Sequence, residues 1–85
     1  MNIQLRFFAS IREALSLSQE SIVVPAHVQT VGDVLLHLRE RGGIWAETLL
    51  EGGALRMALN QEMTQPDARL VDGCEVAFFP PVTGG

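Results

Sequence analysis

Few residues in this 85-residue chain have the type and spacing to do chemistry. His27 and His37 stand apart, with no cysteine or carboxylate at ligand spacing, whereas a zinc site needs three or four ligands. Both read as surface residues, and no metal site is expected. Cys74 is the single cysteine, so it closes no internal disulfide. No basic neighbour in sequence is placed to activate it, and it reads as a buried, inert thiol. The pairs Gly42-Gly43 and Gly52-Gly53 lack the lysine and spacing of a phosphate-binding loop and read as turns. No serine, histidine and acid are arranged as a nucleophile and its base. What remains is the carboxylate after Gly84-Gly85, at the end of a stretch with no ionisable side chain from Val76 onward. Two residues without side chains let that carboxylate enter a slot too narrow for any other pair. The pattern reads as a carboxylate presented to another protein's active site.

The segment that positions it is equally specific. Val76 to Phe79 is an apolar strand of the buried type, and Pro80-Pro81 ends it by removing two backbone donors. From there the chain leaves extended. Pro80 to Gly85 reaches on the order of 18–20 Å at ~3.1–3.3 Å per residue, enough to thread a buried site while the domain stays outside. Two breaks in strand alternation converge at the root of this tail. Phe79 shares a strand face with Glu75 and Ala77, opposite Val76 and Phe78, and Phe8 puts a large ring on the polar face of the first strand. Phe8 and Phe79 are expected to form one exposed apolar patch. Met63 joins them if its short strand lies on the far side of the last one. A patch of that kind beside a functional tail reads as a docking surface.

The rest of the chain supplies the scaffold. Asn2 to Phe7 alternates polar and apolar, which gives a strand. Ala9 to Leu15 reads as a short helix with Ile11, Ala14 and Leu15 on one side, and Ser18 to Val24 as a second strand ended by Pro25. Thr30 and Asp33 have the spacing of a helix N-terminus, and Val31, Val34, Leu35 and Leu38 recur at helical intervals. Arg39 and Arg41 close this main helix before Gly42-Gly43 stops it. Ile44 to Leu50 continues as a further helical turn. Leu55 to Asn60 and a short segment around Met63-Thr64 read as strands, and Asp72-Gly73 as the turn that delivers the last one. A last strand pairing beside the first in parallel needs a long crossover, which the helix-containing segment provides. The expected architecture is α+β: a small mixed sheet with one main helix packed on one face, as in the β-grasp arrangement. Residues 1–79 form the domain and 80–85 the extended tail.

Composition agrees with a single soluble domain, with 47% apolar and 19% charged residues. No run approaches the length needed to span a bilayer and no signal segment opens the chain, so a cytoplasmic protein without membrane attachment is expected. Six basic residues, scattered along the chain against ten acidic ones, argue against nucleic-acid binding.

The motif Gly73-x-Glu75-Val76-Ala77-Phe78-Phe79-Pro80-Pro81-Val82-Thr83-Gly84-Gly85 resembles the C-terminus of the small-subunit family of molybdopterin synthase. These are ubiquitin-like β-grasp sulfur carriers of molybdenum cofactor biosynthesis. Leu5-x-Phe7-Phe8-Ala9-x-x-Arg12-Glu13, Ala58-x-Asn60-Gln61 and Leu70-x-Asp72-Gly73 extend the resemblance over the whole chain. One departure is Cys74, where the family carries an acidic residue. The resemblance implies that an E1-like activating enzyme uses ATP to adenylate Gly85, and that a sulfur donor protein then converts it to a thiocarboxylate. It implies further that Pro80, Pro81, Val82, Thr83 and Gly84 insert with it into the synthase large subunit, within a heterotetramer. There sulfur passes to cyclic pyranopterin monophosphate, which becomes molybdopterin. The chain binds no cofactor of its own, its covalent sulfur aside, and contributes no catalytic side chain; it is a cosubstrate. Three alternatives stay open: a sulfur carrier for thiamine thiazole synthesis, a ubiquitin-like modifier of lysines, and a β-grasp binding module with an inert tail.

Overall fold

The computed structural model describes residues 1–49 and 55–81. The turn expected at Gly52-Gly53 and the tail residues Val82, Thr83, Gly84 and Gly85 lie outside the described residues.

Among the described residues eight elements follow one another: β1 (Asn2–Phe7), α1 (Ala9–Leu15), β2 (Gln19–Val23), α2 (Val31–Arg39), α3 (Ile44–Thr48), β3 (Arg56–Leu59), β4 (Glu62–Thr64) and β5 (Glu75–Phe79). The five strands form one sheet in the order β2-β1-β5-β3-β4. β1 and β2 are an antiparallel pair, as are β3 with β4 and β3 with β5. β5 lies parallel to β1, with Gln4 opposite Glu75 and Phe7 opposite Phe78. That one parallel pairing is the consequence of the long crossover through α2 and α3.

Each side of the sheet follows from period-two alternation. Ile3, Leu5 and Phe7 of β1, Val76 and Phe78 of β5 and Met57 of β3 point into the core, where Val31, Val34, Leu35 and Leu38 of α2 complete the packing. Helix α2 starts where a reciprocal cap satisfies its first donors. The Asp33 amide donates to Thr30 Oγ1 at 3.1 Å, and the Thr30 amide donates back to Asp33 Oδ2 at 3.2 Å. The helix stops at Gly42 and Gly43, whose φ angles of 75° and 54° lie in the left-handed region. Arg41 then forks onto the Glu20 carboxylate of β2 at 2.8 and 2.9 Å, and its guanidinium lies 4.4 Å from the centre of the Trp45 ring. Trp45 in turn meets Phe7 edge-on, with centroids 5.7 Å apart. Among the described residues of the segment after α2, Leu49 is fully buried.

Two details depart from the expectation. Ala14 faces solvent, so α1 buries only Ile11 fully, with Leu15 packed at the margin. Asn60, expected to end the third strand, lies instead with Gln61 in the β3–β4 connection, where both take positive φ, 50° and 69°, and make a tight two-residue hairpin. The Asn60 side chain then accepts the Glu75 amide at 2.9 Å and ties the hairpin to the start of β5.

Candidate functional site

The parallel β1–β5 pair ends both strands at the same edge of the sheet. At that edge the Phe8 amide donates to the Phe78 carbonyl at 3.3 Å, so the ladder continues one residue beyond β1. Phe8 is still extended (φ −128°, ψ 155°) and caps α1, its carbonyl accepting the amides of Ile11 and Arg12. Ala9, the next residue, sits at φ 52°, a left-handed conformation that turns the chain sharply into the helix. The side chain of Phe8 is thereby placed beside that of Phe79. The two rings stack with centroids 4.7 Å apart and planes 5° from parallel.

Both rings are half-buried, not fully exposed as the alternation suggested. They shield each other, and the guanidinium of Arg6 lies 5.6 Å from the centre of the Phe8 ring. Arg6 also reaches toward Glu75, Nη1 to Oε1 3.8 Å, on the same side of the sheet. Between these side chains the floor is small: Ala77 of β5 and Ala58 of β3 face each other across the strands and are 2% and 3% exposed. Met63 stands opposite Ala58 and is 59% exposed. It lies beyond β5 as seen from β1, but β3 intervenes, so Met63 shares the face with the stacked pair without adjoining it. Arg56, opposite Phe79, occupies the intervening edge position.

Below the rings, Pro80 and Pro81 leave the sheet along a shallow groove of about 290 Å³ lined also by Ser10, Ile11, Ala14, Thr48 and Leu55. Sequence reasoning did not find this groove, because it is built from α1, α3 and the residue before β3, far apart in the chain. A signal for the alanine floor was present: two small residues at outward positions of strands that pair.

The other candidates take their places away from this edge. Cys74 is 2% exposed, under the sheet with Val76 and Phe78, and Gly73 before it has φ 82°. His27 is on the surface, while His37 is half-buried, with its Nδ1 enclosed and lacking a hydrogen-bond partner. Among the described residues, no group of three histidine, cysteine or acidic side chains is arranged to hold a metal ion, and no helix is long and apolar enough to cross a membrane.

Comparison with known proteins adds to this geometry. A family model described as the ThiS family matches residues 5–85. The molybdopterin synthase sulfur carrier subunit of Escherichia coli (strain K12) is 42% identical over 83 residues, covering 98% of this chain and 99% of that protein. Small archaeal modifier protein 3 of Haloferax volcanii is 37% identical over 94 residues and covered in full, as is this chain. Among solved structures, the solution structure of the Haloferax volcanii HVO 2177 protein superposes with a TM-score of 0.82 at 33% identity, over 100% of this chain and 87% of that one.

Proposed function

We propose, from the premise that this chain belongs to the ThiS family, that it is a sulfur carrier of molybdenum cofactor biosynthesis, with Gly85 as its reactive residue. The observation that carries the proposal is the shared edge of β1 and β5. It puts a stacked aromatic pair at the root of a Pro-Pro-stiffened tail that has no ionisable side chain.

A carboxylate is a poor acyl donor until one oxygen becomes a leaving group. In the proposed sequence, an E1-like activating enzyme transfers AMP from ATP onto the Gly85 carboxylate, releasing pyrophosphate. Hydrosulfide supplied by a donor protein then attacks the acyl carbon, the bond to AMP breaks, AMP leaves, and the product is a thiocarboxylate. Pro80, Pro81, Val82, Thr83 and Gly84 carry that group into the large subunit of molybdopterin synthase, where cyclic pyranopterin monophosphate takes up the sulfur. Phe8 and Phe79, with Met63 further along the same face, dock the domain while the tail is engaged. Acid, base and metal chemistry belong to the partners, because the tail brings none.

The test is intact mass after incubation with the activating enzyme, ATP and a sulfur source. Exchange of one oxygen for sulfur in the native chain, lost when Gly85 is deleted or when an alanine follows it, supports the proposal. Full sulfur transfer from the alanine-extended chain sinks it. A second reading, a protein modifier, is favoured by the kinship with small archaeal modifier protein 3. Amide-linked ladders on other proteins in the same incubation would select that reading.

A further inference from the structure

The chain contains no lysine: all six of its basic residues are arginines. That matters most at the tail root. Arg56 lies directly across the strand pair from Phe79, the last residue before Pro80, and Arg6 is opposite Ala77 two residues earlier. Facing strand positions are about 5 Å apart, and a tail of six residues reaches ~18–20 Å, so an activated Gly85 can return to either side chain. Cations are present within that radius, but none is a nucleophile. A guanidinium stays protonated at any working pH and attracts phosphate or carboxylate without attacking a carbonyl. A lysine in its place would have a free-amine fraction able to do so.

The remaining amine is the α-amino group of Met1. Because β1 and β5 are parallel, Met1 lies at the end of the sheet away from the tail, roughly 23 Å from Phe8 at ~3.3 Å per residue. It also donates to the Val24 carbonyl at 3.3 Å. The one thiol, Cys74, is buried.

We infer that this chain is built as an acyl donor that cannot serve as its own acceptor: the cations that flank its tail are arginines, and its single amine is held at the opposite end of the sheet. The inference rests on the reading of Gly85 as an activated acyl group. The reaction avoided is simple. An amine nitrogen would attack the Gly85 carbonyl carbon, AMP or a thiolate would leave, a proton would pass to solvent, and the carrier would end as a dead amide.

The test does not need the activating enzyme, so it is separate from the sulfur-transfer test above. The full chain is prepared with Gly85 as a thioester of 2-mercaptoethanesulfonate and followed by intact mass at mildly alkaline pH. The native chain should yield only the free acid. Arg56→Lys and Arg6→Lys should yield a product lighter than the free acid by one water, the cyclic amide. Effective concentrations across a linker of a few residues are near millimolar. At micromolar protein the cyclic amide should therefore exceed amide-linked dimer by ~10²-fold or more. Arg69→Lys, which lies on the segment paired with Thr30 away from the tail, is the control and should behave as the native chain. Amide formation by the native chain at the rate of Arg56→Lys would overturn the inference. So would two tail-root lysine variants that form no more amide than Arg69→Lys.

Discussion

Phe8 and Phe79 come from opposite ends of the chain and stack face to face, 4.7 Å between centroids, at the point where the tail leaves the sheet. Neither ring contributes to the buried core, whereas Phe78, one residue earlier, is fully enclosed and stacks on Phe7 at 6.2 Å. Adjacent residues of one strand therefore serve different purposes. Phe78 holds the sheet to its helices; Phe79 lies outside the core, half-buried against Phe8.

Thermal unfolding and partner titration should separate the two. Phe78→Ala is expected to cost ~3–5 kcal/mol of stability through the cavity it leaves. Phe79→Ala should cost less, and its loss of stacking should be coupled to Phe8→Ala by about 0.5–1.5 kcal/mol in a double-mutant cycle. Against the isolated large subunit, Phe79→Ala should weaken binding by roughly 10- to 150-fold, the equivalent of one phenyl ring left unburied. If Phe79→Ala unfolds as readily as Phe78→Ala while binding normally, the aromatic pair is structural and the docking assignment fails.

Acid should loosen the molecule at two identifiable carboxylates. The Gln29 amide, with further donors from Thr30, holds the Asp33 carboxyl below its ordinary value, and the hydrogen bonds from Arg41 do the same for Glu20. A group depressed in the folded state contributes stability above its unfolded pKa, and that contribution is lost as pH falls through the folded one. The Asp33 and Glu20 contributions should thus be complete above about pH 4.5 and disappear progressively below it. Tm measured at pH 7 and pH 3 should drop less in the Asp33→Asn, Glu20→Gln double variant than in the native chain. An equal drop would show that neither carboxylate is coupled to folding.

Cys74 is expected to be structural. Cys74→Ser places a hydroxyl where the thiol is enclosed beside the core, at a cost on the order of 1–3 kcal/mol if it finds no partner. Thiocarboxylate formation should persist in the folded fraction. A folded, purified variant that cannot be thiolated would give the thiol a part in sulfur transfer.

Much of this architecture was legible because local and global signals agree. The alternation of Ile3, Leu5 and Phe7, the helical spacing of Val31, Val34, Leu35 and Leu38, and the Thr30–Asp33 cap each specify one element, and each formed where expected. The convergence of Phe8 and Phe79 was readable because a parallel pair aligns strand ends. Their mutual shielding was not, since alternation assigns a face but is silent about what stands beside a side chain on it. The same limit hid the Arg41–Glu20 fork and the stacking of Arg41 on Trp45, contacts between segments with no shared period. Asn60-Gln61 concealed its left-handed turn because glutamine is an uncommon residue at positive φ.

Ala9 gives the last prediction. An alanine at φ 52° costs roughly 1–2 kcal/mol relative to a residue without a Cβ, and it sits between the stacked Phe8 and helix α1. Glycine would relieve that strain while adding about 0.4–1 kcal/mol of unfolded-chain entropy to be lost on folding. The difference favours Ala9→Gly by several tenths of a kcal/mol. Tm should therefore rise slightly, where a glycine at the start of a helix ordinarily lowers it. Binding to the large subunit should be unchanged, because the turn geometry that seats Phe8 against Phe79 is the one glycine adopts freely. A clear fall in Tm would mean that Ala9 relaxes out of the left-handed region in solution, and the seat of Phe8 would then have to be set by the β1–β5 ladder alone.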